Sequence, residues 1–171
     1  MKIGIISDTH DQIEKIEKAV KLLNEKRVGL VIHCGDWVSP FSLLPYKNLK
    51  CPIKGIFGNN DGDRFRHVAI VKKFNLNIVY EERFMKLTLD KRKCAVFHGD
   101  YQEIVDALVG CGQYDTVFHG HTHIRVNKTV GNTLSLNPGS FLDKTAPGVT
   151  GASFAIYDTK TNTAKIIRFL K

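Results

Sequence analysis

The 171-residue chain lacks the cysteine patterns of small zinc and redox scaffolds. Its four cysteines, Cys34, Cys51, Cys94 and Cys111, are widely separated, and no Cys-x-x-Cys pair occurs. This spacing argues against a zinc ribbon or a redox-active dithiol, so we expect reduced and mostly buried thiols. Because Cys34 stands beside candidate site residues, we expect it to line a pocket without acting there.

Long apolar runs are also absent. No stretch approaches the roughly 20 apolar residues of a membrane-spanning helix. The start, MKIGIISDTH, shows no charged leader followed by a long apolar segment. We therefore predict a cytoplasmic protein without a signal peptide or membrane span. The length and the apolar share of 43% predict one globular domain over residues 1–171.

Acidic residues are the minority charge, with 17 Asp and Glu against 25 Lys and Arg, which gives a net charge of +8. Such a charge makes a nucleic-acid partner possible. The basic residues are, however, spread along the chain, and the densest group, DKRK at 90–93, is typical of a hairpin turn. Because Lys18 and Lys21 follow Glu14 and Glu17 at the spacing of surface ion pairs, we favour a solvated basic surface.

The first third of the chain alternates apolar strands with a helix. KIGII at 2–6 is nearly all apolar, which is typical of a strand buried on both faces. A helix is predicted over 12–26, and further strands are predicted in GLVIH at 29–33 and CPIKGIF at 51–57. This order favours parallel strands with crossover connections.

Later segments are short strands joined by tight turns, a pattern that favours hairpins. The predicted strands are NIVYEE (77–82), FMKLTLD (84–90), KCAVFHG (93–99) and YDTVFHG (114–120), with a helix over 102–109 and hairpins over 124–137 and 151–170. The predicted fold is α/β (α+β). Two mixed β-sheets pack as a sandwich flanked by helices, in four layers.

Polar side chains follow five of the predicted strands. They are Asp8 and His10, then Asp36, then Asn59, Asn60 and Asp61, then His98, then His121 and His123. Each segment alone carries little information, since Asn-Asn-Asp-Gly is also typical of a turn. Sites in α/β sheets form beyond the carboxyl ends of strands, so the five segments together predict one shared site.

In this order the segments D-x-H, G-D, G-N-N-D, H and G-H-x-H resemble the calcineurin-like metallophosphoesterase family. The resemblance runs from Asp8 to NPGS at 137–140 and is strongest to small YfcE-like and archaeal phosphodiesterases. It implies the four-layer αββα fold and two divalent metal ions. By the family pattern, Asp8, His10, Asp36 and His123 would hold one ion, and Asp36, Asn59, His98 and His121 the other.

The resemblance implies hydrolysis of a small phosphodiester through in-line attack by a metal-bridging hydroxide. Carboxylate and imidazole ligands suit manganese, which we expect first, and also nickel, iron, cobalt or zinc. One alternative is a non-catalytic protein-binding scaffold resembling the retromer subunit of this fold, and another is a nucleic-acid-binding protein. The complete ligand set favours the enzyme, as a monomer or homodimer.

The sequence departs from the family at Asn60, where many members carry a histidine that acts on the leaving group or the phosphate. An amide cannot act as a general acid near neutral pH, so we expect best turnover on esters with good leaving groups. Asp61 is expected to orient its loop. Arg64 is either a substrate-phosphate ligand or an exposed loop arginine, and His67 either replaces the acid or lies at the surface or a helix start.

Two further histidines, His33 and His119, lie inside predicted strands just before candidate ligands. We expect both to support the site without binding metal. Strand alternation would place His119, His121 and His123 on one side, but Gly120 and the strand end are expected to turn the chain.

Overall fold

The computed structural model describes residues 1–143, 149 and 151–169, so Leu170, the last residue of the predicted C-terminal hairpin, lies outside the described residues. The strands of the described part form two sheets. They are β1 (Lys2–Ile6), β2 (Leu30–His33), β3 (Ile53–Gly55), β4 (Ile78–Tyr80), β5 (Phe84–Leu89), β6 (Arg92–Phe97), β7 (Thr116–Phe118), β8 (Val126–Val130), β9 (Thr133–Asn137), β10 (Ser153–Asp158) and β11 (Thr163–Arg168).

Both sheets mix parallel and antiparallel pairs. The first has the order β11-β10-β1-β2-β3-β4, with β1 to β4 parallel, β10 antiparallel to β1, and β11 antiparallel to β10. The second has the order β5-β6-β7-β9-β8, with β6, β7 and β9 parallel and hairpin partners at both edges. The predicted pair of mixed sheets is confirmed.

Three apolar cores separate the layers. Side chains such as Ile5, Ile32 and Val96 fill the space between the sheets. Helix α1 (Ile13–Glu25) packs Ile16 and Leu23 on the other face of the first sheet. Helix α3 (Gln102–Gly110) packs Val105 and Val109 on the outer face of the second sheet. These contacts give the predicted four-layer arrangement.

Two helical segments are not predicted by the sequence analysis. Helix α2 spans Arg64–Lys73, and a 3-10 helix spans Pro40–Asn48. Helix α2 buries only His67 and Ile70, so its sequence shows no clear apolar stripe. The 3-10 helix contains Pro45, and proline disfavours a regular helix interior, so the sequence does not indicate a helical segment here.

Of the two positions expected for His67, the surface is wrong, whereas the helix start is confirmed, since His67 is the fourth residue of α2. Its side chain is fully buried within α2, and its Nε2 lies 3.2 Å from the carbonyl oxygen of Val38. Its Nδ1 lies 3.2 Å from the hydroxyl of Tyr80. Because a carbonyl only accepts, Nε2 donates to Val38, and His67 joins α2 to the chain two residues beyond Asp36.

The cysteines are free, and three of the four are buried, as predicted. Cys34 packs in the core between the sheets, so the expectation that it lines a pocket is wrong. Burial raises the pKa of Cys51 to about 11 and that of Cys94 to about 12, and it raises the pKa of Cys34 above its ordinary value. No helix of the described residues combines the length and the apolar character needed to cross a bilayer.

This environment predicts selective alkylation. At pH 8 the native protein should take up one iodoacetamide adduct, on the exposed Cys111, because the other thiols are buried and protonated. Mass spectrometry after native and denatured labelling counts and locates the adducts. All four thiols should react in denaturant, and native labelling of Cys34, Cys51 or Cys94 at the rate of Cys111 would contradict the buried arrangement.

Candidate metal centre

The loops that carry the predicted ligands follow β1, β2, β3, β6 and β7 and meet at one end of the sandwich. Several of these ligands have left-handed backbone conformations, which L residues seldom adopt. The φ angles are 52° at Asp8, 40° at His10, 59° at Asp36, 64° at His121 and 58° at His123. Strained backbone of this kind concentrates at functional sites.

A first cluster consists of Asp8, His10, His123 and the Oδ2 atom of Asp36. Asp8 Oδ1 lies 3.3 Å from His123 Nε2 and 3.8 Å from His10 Nε2. His10 Nε2 lies 3.7 Å from Asp36 Oδ2 and 3.1 Å from His123 Nε2. The donor atoms of Asp8, His10 and His123 all lie within 4.8 Å of one another, as ligands of one ion require.

Asp8 shows that this cluster suits a cation. Its carboxylate is fully buried, and Oδ2 accepts hydrogen bonds from Ser7 Oγ and the backbone N–H of His121. The other oxygen, Oδ1, is buried and has no hydrogen-bond partner among the described residues. A buried anionic oxygen without a donor is costly, and a metal ion facing it would remove that cost.

A second cluster consists of Asn59, His98, His121 and the Oδ1 atom of Asp36. Asn59 Oδ1 lies 2.9 Å from His98 Nε2 and 3.0 Å from His121 Nδ1, and His98 Nε2 lies 3.4 Å from Asp36 Oδ1. His98 Nδ1 donates to the carbonyl of Cys34 at 2.8 Å. In the neutral ring this bond leaves Nε2 unprotonated and able to bind metal.

Asp36 stands between the two clusters and turns one oxygen toward each. Asn60 holds it there, because its backbone N–H donates to Oδ1 at 2.9 Å and its side-chain amide donates to Oδ2 at 2.7 Å. Burial alone would raise the pKa of Asp36. Hydrogen bonds from His98 and Asn60 and the charge of His98 outweigh burial, and they lower this pKa below its ordinary value.

The electrostatics of the second cluster also favour a cation. Burial opposes the charged imidazolium of His98, but the hydrogen bond to Asp36 and the charges of Asp8 and Asp36 outweigh it. The result is a pKa of His98 raised to about 9. The two carboxylates therefore attract positive charge to the position between the rings, where a divalent ion would replace the proton.

Close backbone approach around Asp36 depends on Gly58. A Cβ atom placed on Gly58 would lie 2.2 Å from Asp36 Oδ1 and 2.6 Å from the Asp36 backbone nitrogen. Any side chain here would displace the carboxylate from between the clusters. The glycine before Asn59 is therefore part of the site geometry.

Asp61 organises the same loops, as its predicted role requires. Its side chain is 4% exposed, and Oδ2 accepts from the backbone N–H groups of Asp36 at 3.0 Å and Gly58 at 2.7 Å. Its Oδ1 accepts from the N–H of Val38 at 2.8 Å. The Asp61 carboxylate therefore holds the backbone of the Asp36 loop and of the Asn59 loop in place.

His33 and His119 make their hydrogen bonds to groups other than the predicted ligand atoms. His33 is buried and stacks on Trp37, with ring centroids 3.5 Å apart, and burial lowers its pKa well below the ordinary value. His119 Nε2 lies 2.9 Å from Ser135 Oγ, and burial lowers its pKa to about 4. Strand β7 ends at Phe118, so the alternation does not continue to His121 and His123.

Arg64 lies at the first position of α2, so the prediction of a loop arginine is wrong. Its Nη1 forms an ion pair with Glu82 at 3.1 Å, and its guanidinium lies 5.1 Å from the ring centroid of Phe57. Arg83, which pairs with Asp100 beside the second cluster, was not among the predicted site residues. Residue types alone gave no signal for this pair, because an arginine after two glutamates is typical of an exposed loop.

The fold and the two clusters match what the metallophosphoesterase family requires. A family model for the calcineurin-like phosphoesterase superfamily domain matches residues 1–162. The chain belongs to this family, as the sequence motifs predict.

Relatives make the comparison more specific. A phosphodiesterase of Methanocaldococcus jannaschii is 40% identical over 139 residues, covering 81% of this chain and 83% of the relative. The solved structure of an archaeal phosphodiesterase has a TM-score of 0.88 and 36% identity, covering 99% of this chain and 100% of that one. Vps29 of Entamoeba histolytica, solved with Zn²⁺, has a TM-score of 0.66 at 18% identity, with 99% and 98% covered, and shows the fold alone.

Replacing Asp61 by Asn should destabilise the metal-free protein by about 2–4 kcal/mol, because buried N–H groups then face an amide donor. Urea unfolding in EDTA measures this change. Glu82→Gln, which breaks the exposed pair with Arg64, is the matched control and should cost less than about 1 kcal/mol. Equal stability of the wild type and Asp61→Asn would contradict the role of Asp61.

Proposed function

We propose that this protein is a metal-dependent phosphodiesterase with a dinuclear centre, in which Asp36 bridges two divalent ions. The observation that carries the proposal is the division of the seven ligands into two adjoining clusters that share one carboxylate. The phosphodiesterase assignment is supported by the relative with 40% identity. Two bound ions would supply an activated water and offset the negative charge of a phosphate.

The charge of the ligands favours an anionic substrate. Asp8 and Asp36 are the two carboxylates of the set, and Asn59 and the histidines are neutral ligands. Two divalent ions would therefore leave a positively charged site. The net charge of +8 acts in the same direction by attracting anions to the surface. A small phosphodiester is the substrate class that we propose.

The residues around Asp36 would keep the reacting groups in place. Asn60 holds both oxygens of the bridging carboxylate, and Asp61 fixes the backbone on either side of it. Preorganisation of this kind is a main source of catalytic power, since the site need not rearrange during reaction. We assign Asn60 and Asp61 to this positioning and Arg64 to a substrate contact, with His33 and His119 as structural supports.

The chemistry of the ligands suits manganese first, and also nickel, iron, cobalt and zinc. The structure of Vps29 with Zn²⁺ keeps the scaffold alternative open, because a protein of related fold that was solved with metal bears a name that refers to vacuolar protein sorting. The completeness of both clusters favours the enzyme, since a scaffold needs no bridging carboxylate. The cytoplasmic location and the monomeric or homodimeric state stay predictions.

Metal restoration tests the proposal. After chelation, the protein should hydrolyse bis-aryl phosphate when Mn²⁺ or Ni²⁺ is returned, and mono-aryl phosphate more slowly. Parallel preparations of Asp36→Ala and His98→Ala should lose at least about 100-fold in rate, which excludes a contaminating phosphatase. Absence of hydrolysis of both esters with every metal would contradict the enzymatic proposal. Tight, salt-sensitive binding of nucleic acid without hydrolysis would favour a nucleic-acid-binding protein.

The amide at Asn60 predicts a dependence on the leaving group. Asn60→His should raise the rate for poor leaving groups more than for good ones, because an imidazole can donate a proton that an amide cannot. A series of aryl phosphodiesters with graded phenol pKa values measures this slope. The ratio of rates is the readout, since the variant also loses the hydrogen bond from Asn60 to Asp36. An unchanged slope would count against the assignment.

A further inference from the structure

We propose that Arg83 and Asp100 form a positioning pair that sets the metal affinity of the second cluster without contacting the metal or the substrate. The inference rests on the proposed metal centre. It concerns the second cluster alone, which distinguishes it from a general contribution to the fold.

The ligands of the second cluster, like those of the first, come from loops of different sheets. Asn59 follows β3 of the first sheet, and His98 follows β6 of the second. These two strands share no backbone ladder, so strand pairing does not fix the distance between the two loops. That distance depends on packing and on contacts between the loops themselves.

Arg83 makes contacts to both loops. It lies one residue before β5, whose first residue Phe84 pairs with Phe97 at the end of β6. One arm of its guanidinium forms an ion pair with Asp100, two residues after His98. The other arm, Nη1, lies 3.5 Å from the carbonyl oxygen of Gly58, the residue before Asn59. The guanidinium therefore spans from the Asn59 loop to the His98 loop.

The neighbouring backbone strengthens this link. The N–H of Phe57 donates to the carbonyl of Glu82 at 2.8 Å, which ties the segment before Arg83 to the strand end before Asn59. Arg83 thus extends from a segment that is already fixed to the Asn59 loop. The backbone beside Arg83 also joins the second sheet, where Phe84 pairs with Phe97, and the ion pair adds a side-chain link to the loop that follows His98.

Asp100 depends strongly on Arg83. Its side chain is 13% exposed, and its Oδ1 is buried without a hydrogen-bond partner among the described residues. The ion pair of Oδ2 with Arg83 therefore offsets the free-energy cost of burying this charged carboxylate. Loss of the partner would leave a partly buried charge close to His98, and the loop would move to hydrate it.

The first cluster has no comparable dependence on this pair. Asp8 and His10 follow β1, and His123 follows β7. The contacts of Arg83 and Asp100 described above reach the segments beside Asn59 and His98. Residues that orient ligands through such contacts typically change metal affinity by about 10- to 100-fold when they are replaced.

The test removes the pair without changing net charge. Arg83→Gln alone would also remove a cation near the metals, which would favour metal binding and mask a loss of positioning. The double variant R83Q/D100N removes one charge of each sign. The matched control is R92Q/D115N, which removes an Arg–Asp pair of the same Arg exposure, 34%, at the other end of β6.

Equilibrium dialysis of the metal-free protein against Mn²⁺ gives affinities that do not depend on turnover. The wild type should bind two ions per chain. R83Q/D100N should keep one affinity and lose about 10-fold or more in the other. R92Q/D115N should bind like the wild type, and circular dichroism should show that every variant is folded.

Ligand variants identify which site is affected. In a His123→Ala background, which breaks the first cluster, R83Q/D100N should still weaken the remaining ion. In a His98→Ala background, which breaks the second, it should have no further effect. Unchanged affinities in R83Q/D100N, or equal losses in both backgrounds, would overturn the inference. A wild type that binds no Mn²⁺ would instead remove the metal centre on which it rests.

Discussion

The carboxylate of Asp36 is the constraint on which the site depends. Its two oxygens face two different groups of ligands, and the residue is 1% exposed, so both oxygens must be satisfied inside the protein. Asn60 satisfies part of this requirement from one side. His10 Nε2 lies 3.7 Å from Asp36 Oδ2, and His98 Nε2 lies 3.4 Å from Asp36 Oδ1. The proposed pair of cations would face the same two oxygens.

This concentration of charged and polar ligands is accompanied by left-handed backbone conformations that L residues seldom adopt. Asp8, His10 and Asp36 adopt left-handed conformations at the ends of β1 and β2, and Gly58 makes room for the carboxylate of Asp36. Asp61 satisfies three backbone N–H groups across these turns. The sandwich supplies rigid strand ends, and the polar loops supply the strain and the ligands. Regular structure and function are therefore divided between strands and their carboxyl-terminal loops.

Much of the fold was predictable because apolar strands and tight turns leave strong local patterns. The meeting of these polar residues at one edge was predictable for a related reason, since polar residues at five strand ends have little structural use unless they meet. The assignment of individual ligands to two ions came from the family resemblance and stays a prediction. Helix α2 and the buried position of His67 were not predictable, because α2 buries only two side chains and has no apolar stripe. The link between Arg83 and Asp100 joins residues from separate segments, and only the tertiary structure brings them together.

The resemblance to known phosphodiesterases and the local geometry are independent lines of support. The relative with 40% identity indicates the reaction class, while the orphan oxygen of Asp8 and the shared oxygens of Asp36 indicate where cations would lie. Similarity of fold alone would not choose between an enzyme and a protein-sorting scaffold. The choice rests on side chains, as function generally does within a common fold.

In the proposed centre, Asp36 would hold two ions, one at each oxygen. The most direct test is a crystal structure of the protein grown with Mn²⁺, with anomalous scattering used to locate the metal. We expect two anomalous peaks roughly 3.5–4 Å apart, with one oxygen of Asp36 on each. One peak should adjoin Asp8, His10 and His123, and the other Asn59, His98 and His121. A single peak, or two peaks without Asp36 between them, would show that Asp36 does not hold two ions.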